Sequence, residues 1–228
     1  MDIGFVVAGL IKSGLRSIAA SIPVAASISQ AWNEYESHLQ SKRIEQFFQL
    51  LQPEIARVKE RIKLVEDHVR QSGEAPSLIE QTIDKIRKEN SERKRQTFAH
   101  LLANSVAAGP ALQQDDKLTF IDTLDTLTSQ EISLLLIFQP DLRIRVNEII
   151  KNSIFDDILY EERLGKLVVS LKKLESRGLI SETIGPGDIS VMSVTYDREG
   201  WEEKFEKKYF ELLPHGQVFY QMILGEGI

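Results

Sequence analysis

The sequence predicts a mainly α-helical protein, with a long antiparallel helical hairpin followed by a smaller C-terminal α+β domain. Three observations carry this expectation. First, Ile44, Phe48, Leu51, Ile55, Val58, Ile62, Val65 and Val69 recur in alternating steps of four and three, the seam of a coiled-coil-like helix edge. Second, the turn-rich stretch Gln71-Ser72-Gly73-Glu74-Ala75-Pro76-Ser77 separates that seam from another helical pattern, Leu78 to Ala107. Two long helices joined by a short turn fold back on each other. Third, Leu167, Leu171 and Leu174 lead to Gly178-Leu179-Ile180, then to Gly185-Pro186-Gly187-Asp188, and finally to Leu212-Leu213-Pro214-His215-Gly216-x2-Phe219. A helix ending at a glycine, two strands about a tight turn and a closing helix follow the order of a winged helix. The expected divisions are residues 1–29, a helical segment with a small-residue seam; 30–110, the hairpin; and 117–228, the winged-helix-like domain.

The N-terminal segment has its own pattern. Gly9, Ser13, Ser17, Ser21, Ala25 and Ser29 recur every four residues beside Val7, Ile11, Leu15, Ile18 and Ile22. On a helix this is a ridge of small side chains that lets another backbone approach closely. It is a candidate self-association seam, or a segment that lies on a membrane surface, or a helix packed on its own protein. Pro23 should kink it. Residues 3–11 are apolar but follow Asp2 and precede Lys12, the wrong polarity for a signal peptide. Lys12 and Arg16 would each cost about 2.5–3.5 kcal/mol at a bilayer centre, so no lone transmembrane helix is expected.

From Gln30 to Arg70 one long helix, or two nearly collinear ones, should form. Glu54, Arg57, Lys59, Glu60, Arg61, Lys63, Glu66 and Asp67 would make its solvated face. The second helix is apolar at Ile79, Ile83 and Ile86 and again at Phe98, Leu101, Leu102 and Val106, with a polar middle from Lys88 to Gln96. Gly109-Pro110 stops it, Gln113–Asp116 reads as a loop, and Lys117–Asp125 as a short helix. Thr128 can cap a helix over Ser129–Phe138, with Glu131 reaching back and Leu127 and Ile132 forming a hydrophobic staple. Helices near Arg143–Asn152 and Ile158–Arg177 follow, then strands near Leu179–Ile184 and Ile189–Tyr196. Trp201–Phe210 is charged and ambiguous, and a last helix spans about Gly216–Leu224.

The chain has 228 residues, 42% of them hydrophobic and 27% charged, and no cysteine. That is enough apolar material for a real core, and it excludes disulfides and thiolate metal sites. Its net charge of −6 is unevenly spread. Residues 1–120 hold 16 Lys and Arg against 15 Asp and Glu, leaving 12 against 19 in residues 121–228. The winged-helix pattern therefore lies in the acidic part, which disfavours a DNA reader.

No motif specifies a chemistry. His38, His68, His100 and His215 lie in separate segments with no metal-ligand spacing, and there is no phosphate loop or nucleophile elbow. Neither a catalytic, metal or cofactor site nor a small-molecule ligand is expected. One cluster stands out: Lys85, Arg87, Lys88, Arg93, Lys94 and Arg95 fall within eleven residues. It is a candidate patch for phosphate, nucleic acid or anionic lipid. The alternative is a solvated face, with Asp84–Lys88 and Glu89–Arg93 paired at i,i+4. On the presumed recognition helix Arg163, Lys166, Lys172 and Lys173 are matched by Glu161, Glu162 and Glu175.

Several stretches resemble the abortive-infection alpha family of bacterial phage-defence proteins. They are Lys94-Arg95-Gln96-x-Phe98-Ala99-x-Leu101-Leu102-Ala103-Asn104, Phe120-Ile121-x2-Leu124-x2-Leu127-x3-Glu131, and Leu212-x3-Gly216-x2-Phe219. The resemblance covers about residues 90–224 and rests on helix-core positions. Leu213-Pro214 stands where such families more often have Leu-Thr. It implies a small bacterial cytoplasmic protein linked to defence and carries over no catalytic residue. The expected function is thus a non-enzymatic interaction or oligomerisation protein, cytoplasmic or peripheral at the membrane. Its partner would be another protein or a second copy of itself. The alternatives are a winged-helix DNA-binding regulator and an effector acting on membranes through residues 3–29.

Overall fold

A computed structural model describes residues 42–151, 160–183, 205 and 207–224. The small-residue seam Gly9, Ser13, Ser17, Ser21 and Ala25, the expected strand Ile189–Tyr196 and the turn before it lie outside the described residues. Those described divide into two compact units, 42–126 with 221–224, and 127–220. The end of the last helix groups with the first unit.

The first unit is helical. Its helices are α1 (Lys42–Arg57), α2 (Lys59–Leu64), α3 (Glu66–Ser72), α4 (Glu74–Ile86), α5 (Glu92–Ala108) and α6 (Gln114–Thr126). The heptad seam is buried within the chain. Ile44, Phe48, Leu51, Ile55, Val58 and Ile62 are at most 2% exposed, and α1 and α2 pack on α5. Where one long helix or two nearly collinear ones were expected, the described part forms three, parted at Val58 (φ −94°, ψ 7°) and Val65 (φ −114°, ψ 17°). The breaks keep phase, because Ile62 N–H still donates to Val58 O and Val69 N–H to Val65 O. Pro53 lies inside α1, off the seam.

The second long helix is also not continuous. It ends at Ile86 and restarts at Glu92, where the Ser91 hydroxyl accepts the Lys94 amide and Glu89 accepts the Ser91 amide. Ser, Asn and carboxylate side chains satisfy freed amides in this way and compete with helix propagation. The predicted second helix is thus two, and α4 packs on both α5 and α6. The turn expected over Gln71–Ser77 contracts to Gly73 alone, at φ +68°, with Pro76 in the first turn of α4, where its missing N–H is tolerated. The predicted loop over Gln113–Asp116 is already helix from Gln114.

The second unit contains α7 (Ser129–Leu135), β1 (Ile144–Arg145), α8 (Val146–Lys151), α9 (Tyr160–Ser176), β2 (Ile180–Thr183), β3 (Tyr209–Leu212) and most of α10 (Pro214–Leu224). The strands form an antiparallel sheet in the order β1-β3-β2. Ile144 pairs with Phe210, and Ile180 with Leu212. The ambiguous stretch before Glu211 thus supplies the central strand, and the start of the helix expected at Arg143 is an edge strand. Leu164, Leu167, Leu171 and Leu174 of α9 are buried with Phe210 and Phe219. Among the described residues no helix is long and apolar enough to cross a membrane.

Candidate functional site

The six basic residues singled out in the sequence do not form one surface. Lys85 reaches Asp122 at 2.8 Å and Asp125 at 3.3 Å. Its hydrogen bond to Asp122, reinforced by Asp125, holds the ammonium above its usual pKa and lowers that of Asp122. Lys94 is buried, 3.0 Å from Glu89, and donates to Asp125 O at 2.7 Å. Burial alone would raise the Glu89 carboxyl, but the Ser91 amide and Lys94 outweigh it and hold it low. Arg95, also buried, donates to Glu89 O, Asn90 O and Gln46 Oε1. Arg87 lies 3.6 Å from Asp84. Lys88 and Arg93 are exposed. Within the cluster Lys94 and Arg95 turn inward, tying the α4–α5 junction to α6 and α1, while Arg87, Lys88 and Arg93 stay exposed.

In the second unit α9 exposes Gly165, Lys166, Val169 and Lys172 on one face. Lys172 is 2.7 Å from Glu175 and 3.6 Å from Glu182, and Glu175 holds it above its usual range. Lys173 bonds Glu131 at 2.9 Å. The same Glu131 closes the predicted capping box, accepting the Thr128 amide while its own amide donates to Thr128 Oγ1. Burial raises the Glu131 carboxyl, but the Thr128 amide and Lys173 together bring it below its ordinary value. A depressed carboxylate pKa adds stability at neutral pH that is lost as pH falls from about 4.3 through the folded-state value. Glu131→Gln should therefore lower stability at pH 7 by about 1–2 kcal/mol. It should also flatten the acid limb of the stability curve, read by urea titrations from pH 7 to 2.5. An unchanged limb would mean that Glu131 is not a linked group.

Two polar clusters in the first unit were not legible as sites. In one, Lys117 is 0% exposed. It donates to Glu74 Oε2 at 2.7 Å and to Gly109 O at 2.6 Å. His68 Nε2 lies 3.3 Å from the other oxygen of Glu74. Beside it is a shallow depression of about 290 Å³, lined by Lys63, Leu64, Val65, Glu66, Asp67, His68 and Pro110. Lys117 is sealed from solvent, so the cluster works as an internal tie.

The second cluster gathers around the fully buried Asn104. Its amide donates to Met222 O at 2.8 Å, which turns Oδ1 toward Arg57 and Arg61, each 3.3 Å away. Arg57 also bonds Glu54 at 2.8 Å, and His100 Nδ1 lies 3.0 Å from that carboxylate without hydrogen-bond alignment. Arg61 Nη2 is buried without a hydrogen-bond partner. Burial, and then the like charge of Arg57, lower the Arg61 pKa. Arg57, Arg61 and Glu54 had read as part of a solvated face. Glu54 and Arg61 are instead only partly exposed, and Arg61 is bonded to Asn104 of α5.

Among the described residues no group of three or more His, Asp or Glu is placed to hold a metal ion. Comparison with protein-family models, with curated proteins and with solved structures finds no match for the chain.

Proposed function

We propose that the protein is a non-enzymatic, cytoplasmic interaction protein of bacterial phage defence, docking another protein or a second copy of itself through a winged-helix-like second unit. The order α7, β1, α8, α9, β2, β3, with β3 central in the sheet, supports the winged-helix reading. In such a unit α9 occupies the place of the recognition helix. The observation that carries the choice of partner is the state of its lysines: Lys172 and Lys173 are bound to Glu175, Glu182 and Glu131. A DNA reader aims unneutralised cations at phosphates and polar side chains at base edges. Here the exposed face centres instead on Val169, 67% exposed, which suits a protein surface. The defence assignment is supported by the resemblance over residues 90–224. Its quoted positions Phe98, Leu101, Leu102, Phe120, Ile121, Leu124, Leu127, Leu212 and Phe219 are all buried.

Two measurements on the full chain test this reading. Light scattering should give a mass above that of one chain, or a pull-down should retain a stoichiometric protein partner, and Val169→Asp should abolish either association. A random duplex at low salt should not shift in a gel, since counterion release makes low salt the most permissive condition. A shift there that vanishes at higher salt would replace the proposal with a DNA-binding regulator.

A further inference from the structure

Internal bonds absorb only part of the basic run on α4 and α5. Arg43, at the start of α1, donates to Arg87 O and to Asn90 Oδ1. Helix α1 therefore begins at the corner where α4 gives way to α5. Neither acceptor is a carboxylate, and Arg43 makes no ion pair among the described residues. Lys88 and Arg93 are exposed at the same corner and are likewise without an ion pair among those residues. Arg95, buried, bonds two carbonyl oxygens and the Gln46 side chain, again no carboxylate. Of the nearby carboxylates, Asp84 faces Arg87, Glu89 is held by Lys94, Asp122 and Asp125 share Lys85, and Glu92 is exposed beside Arg93. The corner keeps a net positive charge in a chain whose total is −6.

The kind of partner follows from the chain that leads into this corner. From residue 3 to residue 33 the sequence holds no charge except Lys12 and Arg16, and it is rich in Ile, Val, Leu and Ala. That stretch lies outside the described residues, but it is joined to α1 through residues 34–41, which span at most about 28 Å. We propose that the corner docks the protein on an anionic lipid membrane, with Lys88, Arg93 and Arg43 meeting the headgroups. An anionic leaflet offers negative charge and an apolar layer together, which a cationic surface tethered to an apolar stretch can use at once. Each cation near such a surface adds about fivefold to the partition, so these few side chains alone bind weakly. Two modest signals in one place give attachment where either alone does not. A nucleic acid would engage the cations and leave the apolar stretch without a role. The attachment is peripheral, because Lys12 and Arg16 resist burial at a bilayer centre. This surface lies in the first unit and does not rest on the docking role proposed for the second.

The test floats the full chain with vesicles of phosphatidylcholine alone, and of phosphatidylcholine with about a third phosphatidylserine. The protein should rise with the anionic vesicles and not with the neutral ones. The bound fraction should fall as sodium chloride goes from about 0.05 to about 0.5 M, because screening shortens the reach of the charges. Lys88→Glu with Arg93→Glu should weaken the partition at least tenfold, and circular dichroism checks that the fold is kept. Lys63→Glu with Arg70→Glu makes the same change in net charge on α2 and α3, and should alter the partition less than about threefold. No flotation, equal flotation with neutral vesicles, or an equal loss in both double variants overturns the inference. A Lys88 and Arg93 variant that floats like the wild type also overturns it, since the apolar stretch would then act alone. So does a random DNA or RNA duplex that binds the wild type, displaces the vesicles and fails to bind that variant, which assigns the corner to nucleic acid.

Discussion

Lys117→Ala is expected to destabilise the protein by about 3–5 kcal/mol, the range for breaking a buried ion pair by removing one partner. Three effects add at this position. The Glu74 carboxylate loses the ammonium 2.7 Å away, Gly109 O loses its donor, and a fully buried four-carbon stem is replaced by a void. Gly109 O lies just past the C-terminus of α5, where a cation is also favoured by the helix dipole. Lys117→Met keeps most of the stem volume and should recover about 1–2 kcal/mol of the loss. The double variant Lys117→Met with Glu74→Gln should be less damaging than the sum of its parts, by at least about 1 kcal/mol. Urea unfolding followed by circular dichroism measures all of these. If the single changes simply add, Lys117 and Glu74 act independently and the tie has no energetic content.

That tie shows where the sequence could and could not be read. The capping box at Thr128 and Glu131 was legible because both partners lie within one turn, so spacing alone specifies the bond. The heptad seam was legible because burial follows its period. The breaks at Val58 and Val65 were not, because valine occurs in regular helix and no local residue announces a bend. Lys117 and Glu74 are 43 residues apart, and each alone looks like an ordinary surface charge. Lys94 had the same ambiguity. Its carboxylate is local, but the carbonyl it caps belongs to Asp125, 31 residues further on. A basic run reads as a patch only while its long-range partners are unknown, and here they hold three of the six side chains, Lys85, Lys94 and Arg95. Strand β3 was obscured by the charges around it. Tyr209–Leu212 is short, and its register on Ile180–Thr183 is what makes it a strand. Arg61 was misplaced for the same long-range reason, since its spacing fits a solvated face and its partner Asn104 is 43 residues away.

An effect of similar size is expected from one methyl group at Gly216. A Cβ there would lie 1.9 Å from the carbonyl oxygen of Leu179, 2.7 Å from its carbon and 2.9 Å from its Cα. All three are backbone atoms, so no rotamer change relieves the overlap. Leu179 O is already held by the Leu213 amide at 3.0 Å, and the next residue, Ile180, opens β2 and pairs with Leu212. Relief would require moving the first turn of α10 away from the strand and breaking that bond. Gly216→Ala should therefore cost about 3 kcal/mol or more, at or above the usual limit for overpacking a core. Gly165→Ala is the control, because its Cβ would meet nothing within 4 Å on the exposed face of α9. There the same added methyl should stabilise the protein by about 0.5–1 kcal/mol through helix propensity. Parallel urea titrations separate the two glycines by opposite signs. A mild Gly216→Ala variant would mean that α10 can slide along the strand, and that the glycine in the quoted Leu212-x3-Gly216 pattern does not set the approach of helix and sheet.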